Sequence, residues 1–241
     1  MGDHSGNIYR PRPVSILRSL PQIKDHRLIQ LKLEDGTTWD SFGHQPGQFV
    51  EVSIFGKGEA PISIASPPTR PDTLELCVRR AGAVTQALLG MEKGSSLHIR
   101  GPYGRGFPLV RLQGCSLLLI AGGLGLAPLR SLLLYALDRR DDFDDIILMY
   151  GTNNPENVLF KYELLGLFDR KDIQYFYSVD RDDEGIWKQY VGLVTDLFDR
   201  TSLTPGNTNA AMCGPPIMYR FVLQKLLGMG FGKDRIYMSL E

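Results

Sequence analysis

Cysteine is scarce in this chain. Cys77, Cys115 and Cys213 are the only three among 241 residues, and they lie far apart. That spacing excludes a disulfide framework and a local thiolate cluster for a metal. The four histidines, His4, His26, His44 and His98, are equally scattered. A surplus of one charge is also missing, since Lys plus Arg and Asp plus Glu number 27 each. A nucleic-acid binder would need a basic excess or stripe. No apolar run is long enough to span a bilayer. The N-terminus Met1-Gly2-Asp3-His4-Ser5 is polar and lacks the apolar core of a signal peptide. Gly6 stands where a myristoylation signal needs Ser or Thr. The second half has no Gly-x-x-x-x-Gly-Lys-Ser/Thr loop, which argues against a non-redox nucleotide-dependent enzyme of that type. These absences describe a soluble, cytoplasmic protein, without nucleic-acid partner or membrane span.

What is present divides into two textures. The first, residues 1–111, is rich in proline and glycine, with short strand-like pieces: Val14–Leu20, Arg27–Leu33, Phe49–Ile54, Ile62–Ala65, Leu74–Val78 and Ser96–Arg100. Short strands with turn signals between them predict an antiparallel barrel or sandwich. One small helix is expected at Val84–Leu89, ended by Gly90. Gly101-Pro102-Tyr103-Gly104-Arg105-Gly106-Phe107-Pro108 reads as a compact turn without regular structure. The second texture, residues 112–241, alternates strands (Ser116–Ile120, Ile146–Tyr150, Ile173–Ser178, Ala210–Met212, Ile236–Leu240) with helices (Pro128–Asp138, Glu156–Phe168, Val194–Phe198, Pro216–Gly228). Alternation of this kind predicts a parallel sheet with helices on its faces. The acidic run Asp138–Asp145 reads as a solvated loop.

The chain's most informative stretch is Leu117–Arg130. A continuous apolar strand runs into Gly122-Gly123-Leu124-Gly125, and Pro128 opens a helix. A tight glycine turn into a helix N-terminus lets backbone N–H groups approach a phosphate. The spacing is not Gly-x-Gly-x-x-Gly, so this stretch alone leaves a ligand-free turn equally open. Ligands in parallel sheets sit outside the carboxyl ends of the strands. Those ends gather Gly122–Pro128, Gly151–Asn154, Ser178–Asp183 and Cys213-Gly214-Pro215-Pro216. Asp180 or Arg181 is a candidate for the adenosine ribose, and Cys213 is either a plain buried residue or a neighbour of a nicotinamide. In the first half, Ser63 sits in an apolar strand where its hydroxyl needs a partner. Thr85, the backbone amides and the arginines of Val78-Arg79-Arg80-Ala81-Gly82-Ala83-Val84-Thr85 can hold a pyrophosphate, or form a solvated arginine pair beside a capped helix.

In order along the chain, Pro46-Gly47-Gln48-Phe49-Val50, Ala60-Pro61-Ile62-Ser63, Gly82-Ala83-Val84-Thr85, Gly101-Pro102-Tyr103-Gly104, Gly122-Gly123-Leu124-Gly125-Leu126-Ala127-Pro128 and Cys213-Gly214-Pro215-Pro216 with Met218 resemble the motifs of the ferredoxin–NADP reductase superfamily. One such motif carries little weight; six in family order carry much. The resemblance implies an N-terminal antiparallel flavin-binding β-barrel followed by a Rossmann-like nucleotide-binding domain. It implies FAD held by Pro61, Ile62, Ser63, Ile64, Val78, Arg79, Gly82, Ala83, Val84, Thr85, Gly101, Tyr103 and Gly104. It implies NAD(H) or NADP(H) held by Gly122, Gly123, Gly125, Leu126, Ala127, Pro128, Gly151, Thr152, Asp180, Arg181, Cys213, Gly214, Pro215 and Met218. Hydride would pass between nicotinamide C4 and flavin N5, with Ser63 beside N5 and Cys213 bordering the nicotinamide. No catalytic histidine or acid–base pair is then required. The acidity of Asp180, Asp182, Asp183 and Glu184 disfavours a 2′-phosphate and inclines the reading to NAD.

Two departures stand out: Ala60 replaces the family's pyrophosphate arginine, and Ile62 its flavin-stacking tyrosine. The wording around them and the tail Arg235–Glu241 resemble a narrower branch of electron-transfer subunits. It holds the gamma subunit of cytoplasmic nickel–iron hydrogenases and the electron-transfer subunits of anaerobic sulfite reductase and of dihydroorotate dehydrogenase. That branch implies partner subunits carrying iron–sulfur clusters, and normally a two-iron, two-sulfur centre on cysteines beyond this tail. Either the sequence is a piece of a longer chain or this member lacks the cluster, because three cysteines cannot supply four thiolates. The competing expectation is a docking subunit with a vestigial flavin site.

Overall fold

The computed structural model describes residues 7–239. The polar Met1–Ser5 stretch, Gly6, and the tail's Leu240 and Glu241 lie outside the described residues. The chain forms two compact units. Among the described residues, one gathers 7–106 together with Arg130–Tyr135; the other holds Phe107–Leu129 and 136–239.

The first unit has six antiparallel strands: β1 (Arg12–Pro21), β2 (His26–Leu33), β3 (Phe49–Ile54), β4 (Gly58–Ser63), β5 (Leu74–Arg79) and β6 (Ser96–Tyr103). Their order is β4-β3-β6-β1-β2-β5, and an Ile64–Leu76 bridge joins the two ends of that order into a barrel. Alternation fills it: Val14, Ile16, Ile29, Leu31, Val50, Val52, Leu97 and Ile99 are inside. Each such side chain contributes about 1.5–3 kcal/mol by leaving water. A 3-10 turn at Trp39–Phe42 adds two more core rings. Helix α1 (Ala83–Leu89) packs on β3, β4 and β5.

Two expectations need correction here. The strand read as Ile62–Ala65 runs from Gly58 to Ser63. Its Pro61 is tolerated because β4 is the last strand in the order, where a missing N–H breaks no ladder. The predicted compact turn from Gly101 is strand through Tyr103. The register steps from Glu51↔Arg100 to Phe49↔Tyr103, so β6 carries one extra residue there. Such a bulge re-aims the side chain that follows it. Gly101 takes a φ of +136°, and a Cβ on it would lie 3.3 Å from the Phe49 carbonyl oxygen.

Strand β5 is buried on both faces, and it contains Glu75. The carboxylate meets Arg130 Nη1 at 2.6 Å and accepts from Gln30 Nε2 at 2.7 Å. Arg130 also donates to the Ala65 carbonyl, and Ser131 Oγ to that of Ser66. A buried charge persists only when paired and hydrogen-bonded in this way.

The second unit begins with the short helix α2 (Leu109–Leu112) and is built on six parallel strands. They are β7 (Ser116–Gly122), β8 (Ile146–Thr152), β9 (Gln174–Val179), β10 (Tyr190–Val191), β11 (Thr208–Cys213) and β12 (Ile236–Met238), in the order β10-β9-β8-β7-β11-β12. Every residue of β7, β8 and β11 is buried, as the apolar runs of β7 and β8 require. Helices α3 (Leu126–Asp138), α4 (Lys161–Gly166) and α5 (Pro216–Gly228) connect them. Helix α3 starts two residues before Pro128, which sits in its first turn, where a proline breaks no bond.

The predicted helix Glu156–Phe168 is broken. Pro155–Asn157 is a 3-10 turn, with Asn154 Oδ1 accepting from Asn157 N–H. Buried Val158, Leu159 and Phe160 follow, and Phe160 takes a left-handed φ of +52° that prevents a continuous helix. Only Lys161–Gly166 is α-helical, with a 3-10 turn at Leu167–Asp169. Val194–Arg200 is a 3-10 helix. The acidic stretch after Asp138 is more ordered than a solvated loop. Phe143 is buried there, and Arg140 donates to the carbonyls of Phe143, Asp144 and Asp172.

Candidate nucleotide and flavin sites

In the parallel sheet the chain moves outward from β7 through β8, β9 and β10, then returns to the other side of β7 as β11. Between β7 and β11 the direction of winding reverses, and ligands of open α/β sheets bind outside the strand ends at such a point. The two loops leaving it are Gly122–Gly125 and Cys213–Pro215, and they interlock. A Cβ on Gly125 would sit 2.2 Å from the Cys213 carbonyl oxygen. One on Gly122 would sit 2.6 Å from Met218 Sδ and 2.8 Å from Pro215 Cδ. One on Gly214 would meet Met218 Cε at 2.6 Å. These three glycines are therefore fixed by loop-on-loop packing. Gly123 differs: its φ is +52° and nothing lies within 4 Å of its Cβ position. It is the open point of the turn, ahead of the N-terminus of α3, and suits a close phosphate.

Leu126 and Ala127 are buried in the first turn of α3, so backbone is what they can offer a ligand. Met218 is buried beneath the glycines and belongs to the core. Gly151 and Thr152 end β8. They are brought to Asp180 and Arg181 by Asp180 N–H donating to the Thr152 carbonyl and Arg181 N–H to that of Asn153. Partial burial lifts the Asp180 carboxyl above its usual range. Asp182 holds the following turn by accepting from Ile186 and Trp187 N–H. Beside this cluster Ser178 Oγ is buried without a protein hydrogen-bond partner. A buried hydroxyl left so is costly, and a polar ligand group can relieve it. An open glycine turn at the reversal point and this hydroxyl both fit a dinucleotide.

Cys213 is buried at the end of β11. Sequence reasoning missed its neighbour Tyr219, whose hydroxyl accepts from Gly214 N–H at 3.3 Å and donates to the Ser239 carbonyl. Burial and the adjacent Cys213 push that phenol's pKa up. The only signal was a tyrosine one place after Met218, on the face that packs under the loop.

In the barrel, Thr85 Oγ1 accepts from Ala81 and Gly82 N–H at 2.9 and 3.0 Å and sits 3.2 Å from the Gly82 carbonyl. The hydroxyl expected to grip a pyrophosphate is thus spent on the turn, and its role is to shape it. Arg80, the second arginine of the motif, is paired with Asp25 at 3.1 Å. Arg79 is exposed at the end of β5, and Gly82 and Ala83 are exposed with open space at Gly82. Exposed backbone amides beside a guanidinium fit a diphosphate. Val84 is buried behind the turn, and Ile62, Ile64 and Val78 are in the barrel core. Their side chains are committed to packing, so only their backbones remain for FAD. Pro61 is exposed and Ser63 half-buried on β4. Gly104 follows β6, and its carbonyl accepts from Gln48 Nε2 at 2.8 Å. His44 is buried, its pKa pulled down by that burial, with Nε2 3.2 Å from the Ser66 carbonyl, and is a core group.

Comparison with known proteins bears on both halves. Residues 22–107 match the oxidoreductase FAD-binding domain, and residues 119–224 the oxidoreductase NAD-binding domain. Sulfhydrogenase 2 subunit gamma of Pyrococcus furiosus is 40% identical over 246 residues, covering 98% of this chain and 85% of that one. The chain belongs to this family of FAD- and NAD-binding oxidoreductases. A probable dihydroorotate dehydrogenase B (NAD(+)) electron transfer subunit of Pyrococcus horikoshii is 32% identical over 179 residues, 74% of this chain and 62% of that one. Among solved structures, the ferredoxin reductase in carbazole 1,9a-dioxygenase shares the fold with a TM-score of 0.78 at 21% identity, over 95% of this chain and 69% of that one. A Neisseria gonorrhoeae ferredoxin NADP+ reductase with bound FAD and NADP does so at 0.77 and 22%, over 95% and 97%. The family member is thus an antiparallel flavin barrel and a parallel-sheet nucleotide domain in one chain, an NAD(P)H–flavin oxidoreductase of the electron-transfer kind. No helix among its described residues is long and apolar enough to cross a membrane.

Proposed function

We propose that this oxidoreductase is the nicotinamide-handling subunit of a larger redox complex of the hydrogenase or sulfite reductase type. Residues 1–111 carry FAD and 112–241 the nicotinamide nucleotide, and electrons pass singly to an iron–sulfur partner subunit. The observation that carries the reading is the likeness to a sulfhydrogenase gamma subunit over nearly the whole chain. When bound, the two cofactors supply hydride exchange followed by one-electron release. The chain's own residues bind and orient. The Gly123 turn receives a diphosphate, and the Cys213–Pro215 loop is braced by Tyr219 to border the nicotinamide. Ser63 holds a hydrogen bond at the flavin edge. The carboxylate of Asp180 favours a free ribose hydroxyl, hence NAD.

The purified protein is expected to be yellow and to release FAD on denaturation. Anaerobic NADH should bleach it faster than NADPH does, and Asp180→Asn should narrow that preference. Ser63→Ala should slow bleaching about tenfold, as loss of one hydrogen bond of ordinary strength does, with FAD affinity unchanged. A colourless protein that takes up no added flavin would favour the docking-subunit reading, which the changes at Ala60 and Ile62 support.

A further inference from the structure

The hydroxyl of Tyr219 is where two strand ends meet. It donates to the Ser239 carbonyl, accepts from Gly214 N–H at 3.3 Å and hydrogen-bonds with the Cys213 thiol. A phenol has one proton to give. Ser239 takes it, so the thiol can meet this oxygen only as the donor, with its S–H turned toward Tyr219. The sulfur's lone pairs are then directed away from the hydroxyl.

Each group around that oxygen is itself held. Pro216 opens α5, and Met218 N–H donates to the Pro215 carbonyl at 2.9 Å, which fixes the helical turn that carries Tyr219. Ser239 N–H donates to the Met212 carbonyl at 3.1 Å and so extends the pairing of β12 with β11 beyond Met212↔Met238. Gly214 lies against the nucleotide turn, since a Cβ on it would sit 3.1 Å from Gly122 Cα. One hydroxyl thus ties the end of the last strand to the Cys213–Pro215 loop and, through Gly214, to Gly122. Packing alone does not call for it. The buried face of α5 is Met218, Val222 and Leu226, and Tyr219 is half-buried beside them, where a phenylalanine ring would serve as well.

We propose that Tyr219 is a positioning residue for hydride transfer: it aims the Cys213 thiol and sets the Gly214 backbone, so that the end of β12 fixes the loop bordering the nicotinamide. The inference rests on the nicotinamide reading of that loop and deepens it. Binding energy from the diphosphate and adenosine ends of a dinucleotide is remote from the reacting ring. A displaced loop should therefore show in the rate and not in the affinity.

Two readouts on Tyr219→Phe test this. In the infrared spectrum the Cys213 S–H stretch, assigned by its loss in Cys213→Ala, should move up to the position of a free thiol. In anaerobic stopped-flow with FAD-loaded protein, the limiting rate of flavin reduction should fall about tenfold, the worth of one hydrogen bond, while the Kd for NADH stays within about threefold. An unmoved S–H band overturns the proposal, and so does a parent-like limiting rate. Weaker NADH binding at an unchanged limiting rate marks a merely structural tyrosine and overturns it too. Should Tyr219→Phe fail to fold, judged by circular dichroism, the parent's own Cys213 band decides: below the free-thiol position it supports the proposal, at that position it overturns it. A parent whose flavin is reduced by neither NADH nor NADPH overturns the nicotinamide reading and the positioning role together. With a parent that is reduced, an unmoved band or rate overturns the role of Tyr219 alone.

Discussion

The two ligand turns of this chain are built on opposite plans. At the reversal point of the parallel sheet, Gly122, Gly125 and Gly214 are locked against Cys213, Pro215 and Met218, with Cβ positions 2.2–2.6 Å from their neighbours. At the barrel's helix α1, a Cβ on Gly82 meets nothing within 4 Å, and the turn is shaped by one threonine hydroxyl. The first turn cannot change its sequence without changing the packing of two loops. The second can drift. The contrast does not extend to the flavin strand, where Ala60 and Ile62 depart from the family motif. It also shows that an intact glycine motif reports on packing as much as on a ligand.

The contrast is most sharply broken at Gly125. Gly125→Val drives a side chain into the Cys213 carbonyl, and should cost more than about 4 kcal/mol and abolish nucleotide binding. Gly123→Ala, at a left-handed φ with open space, should cost only about 1–2 kcal/mol. Comparable melting temperatures for the two variants would break the distinction. Next in size is the buried pair in the first unit. Glu75→Gln leaves Arg130 uncompensated and should lower stability by about 3 kcal/mol in urea titration. A loss within the range of exposed pairs would show that the pair is not held as described. Thr85→Ala should cost about 1 kcal/mol and weaken FAD, with Thr85→Ser restoring both. FAD affinity unmoved by Thr85→Ala would detach the turn from the flavin.

The last effect concerns pH. Burial pushes the Cys77 thiol up to about 12. Because its pKa is raised on folding, the native state is favoured fully below the unfolded thiol's pKa and loses that advantage as pH rises. Stability should fall by at most about 1.4 kcal/mol per pH unit between pH 9 and 12. Cys77→Val should flatten that decline; an unchanged slope would remove Cys77 as its cause.

Much of the fold was legible because its signals were local. Continuous apolar runs gave β7 and β8, and Pro216 with its following apolar spacing gave α5 at its observed limits. Where burial opposed local propensity the reading failed. Val158-Leu159-Phe160 resembled a helix face but is a buried apolar turn ended by a left-handed phenylalanine. Gly101-Pro102 looked like a turn because both residues favour one, yet pairing with β3 holds them as a bulged strand. The candidate site was legible as motifs but not as chemistry. Thr85's hydroxyl and Met218's thioether proved to be committed within the protein. Tyr219, Ser178 and the Glu75–Arg130 pair depend on contacts 20 or more residues apart or on a buried atom's missing partner, neither of which a local pattern contains.

The central claim is that one chain binds both cofactors and moves electrons between them. The direct measurement is anaerobic stopped-flow mixing of FAD-loaded protein with NADH, followed by the flavin absorbance near 450 nm. The account predicts single-turnover bleaching that saturates with NADH and is lost in Gly125→Val while Gly123→Ala retains it. Flavin that stays oxidised under excess NADH and excess NADPH would contradict it.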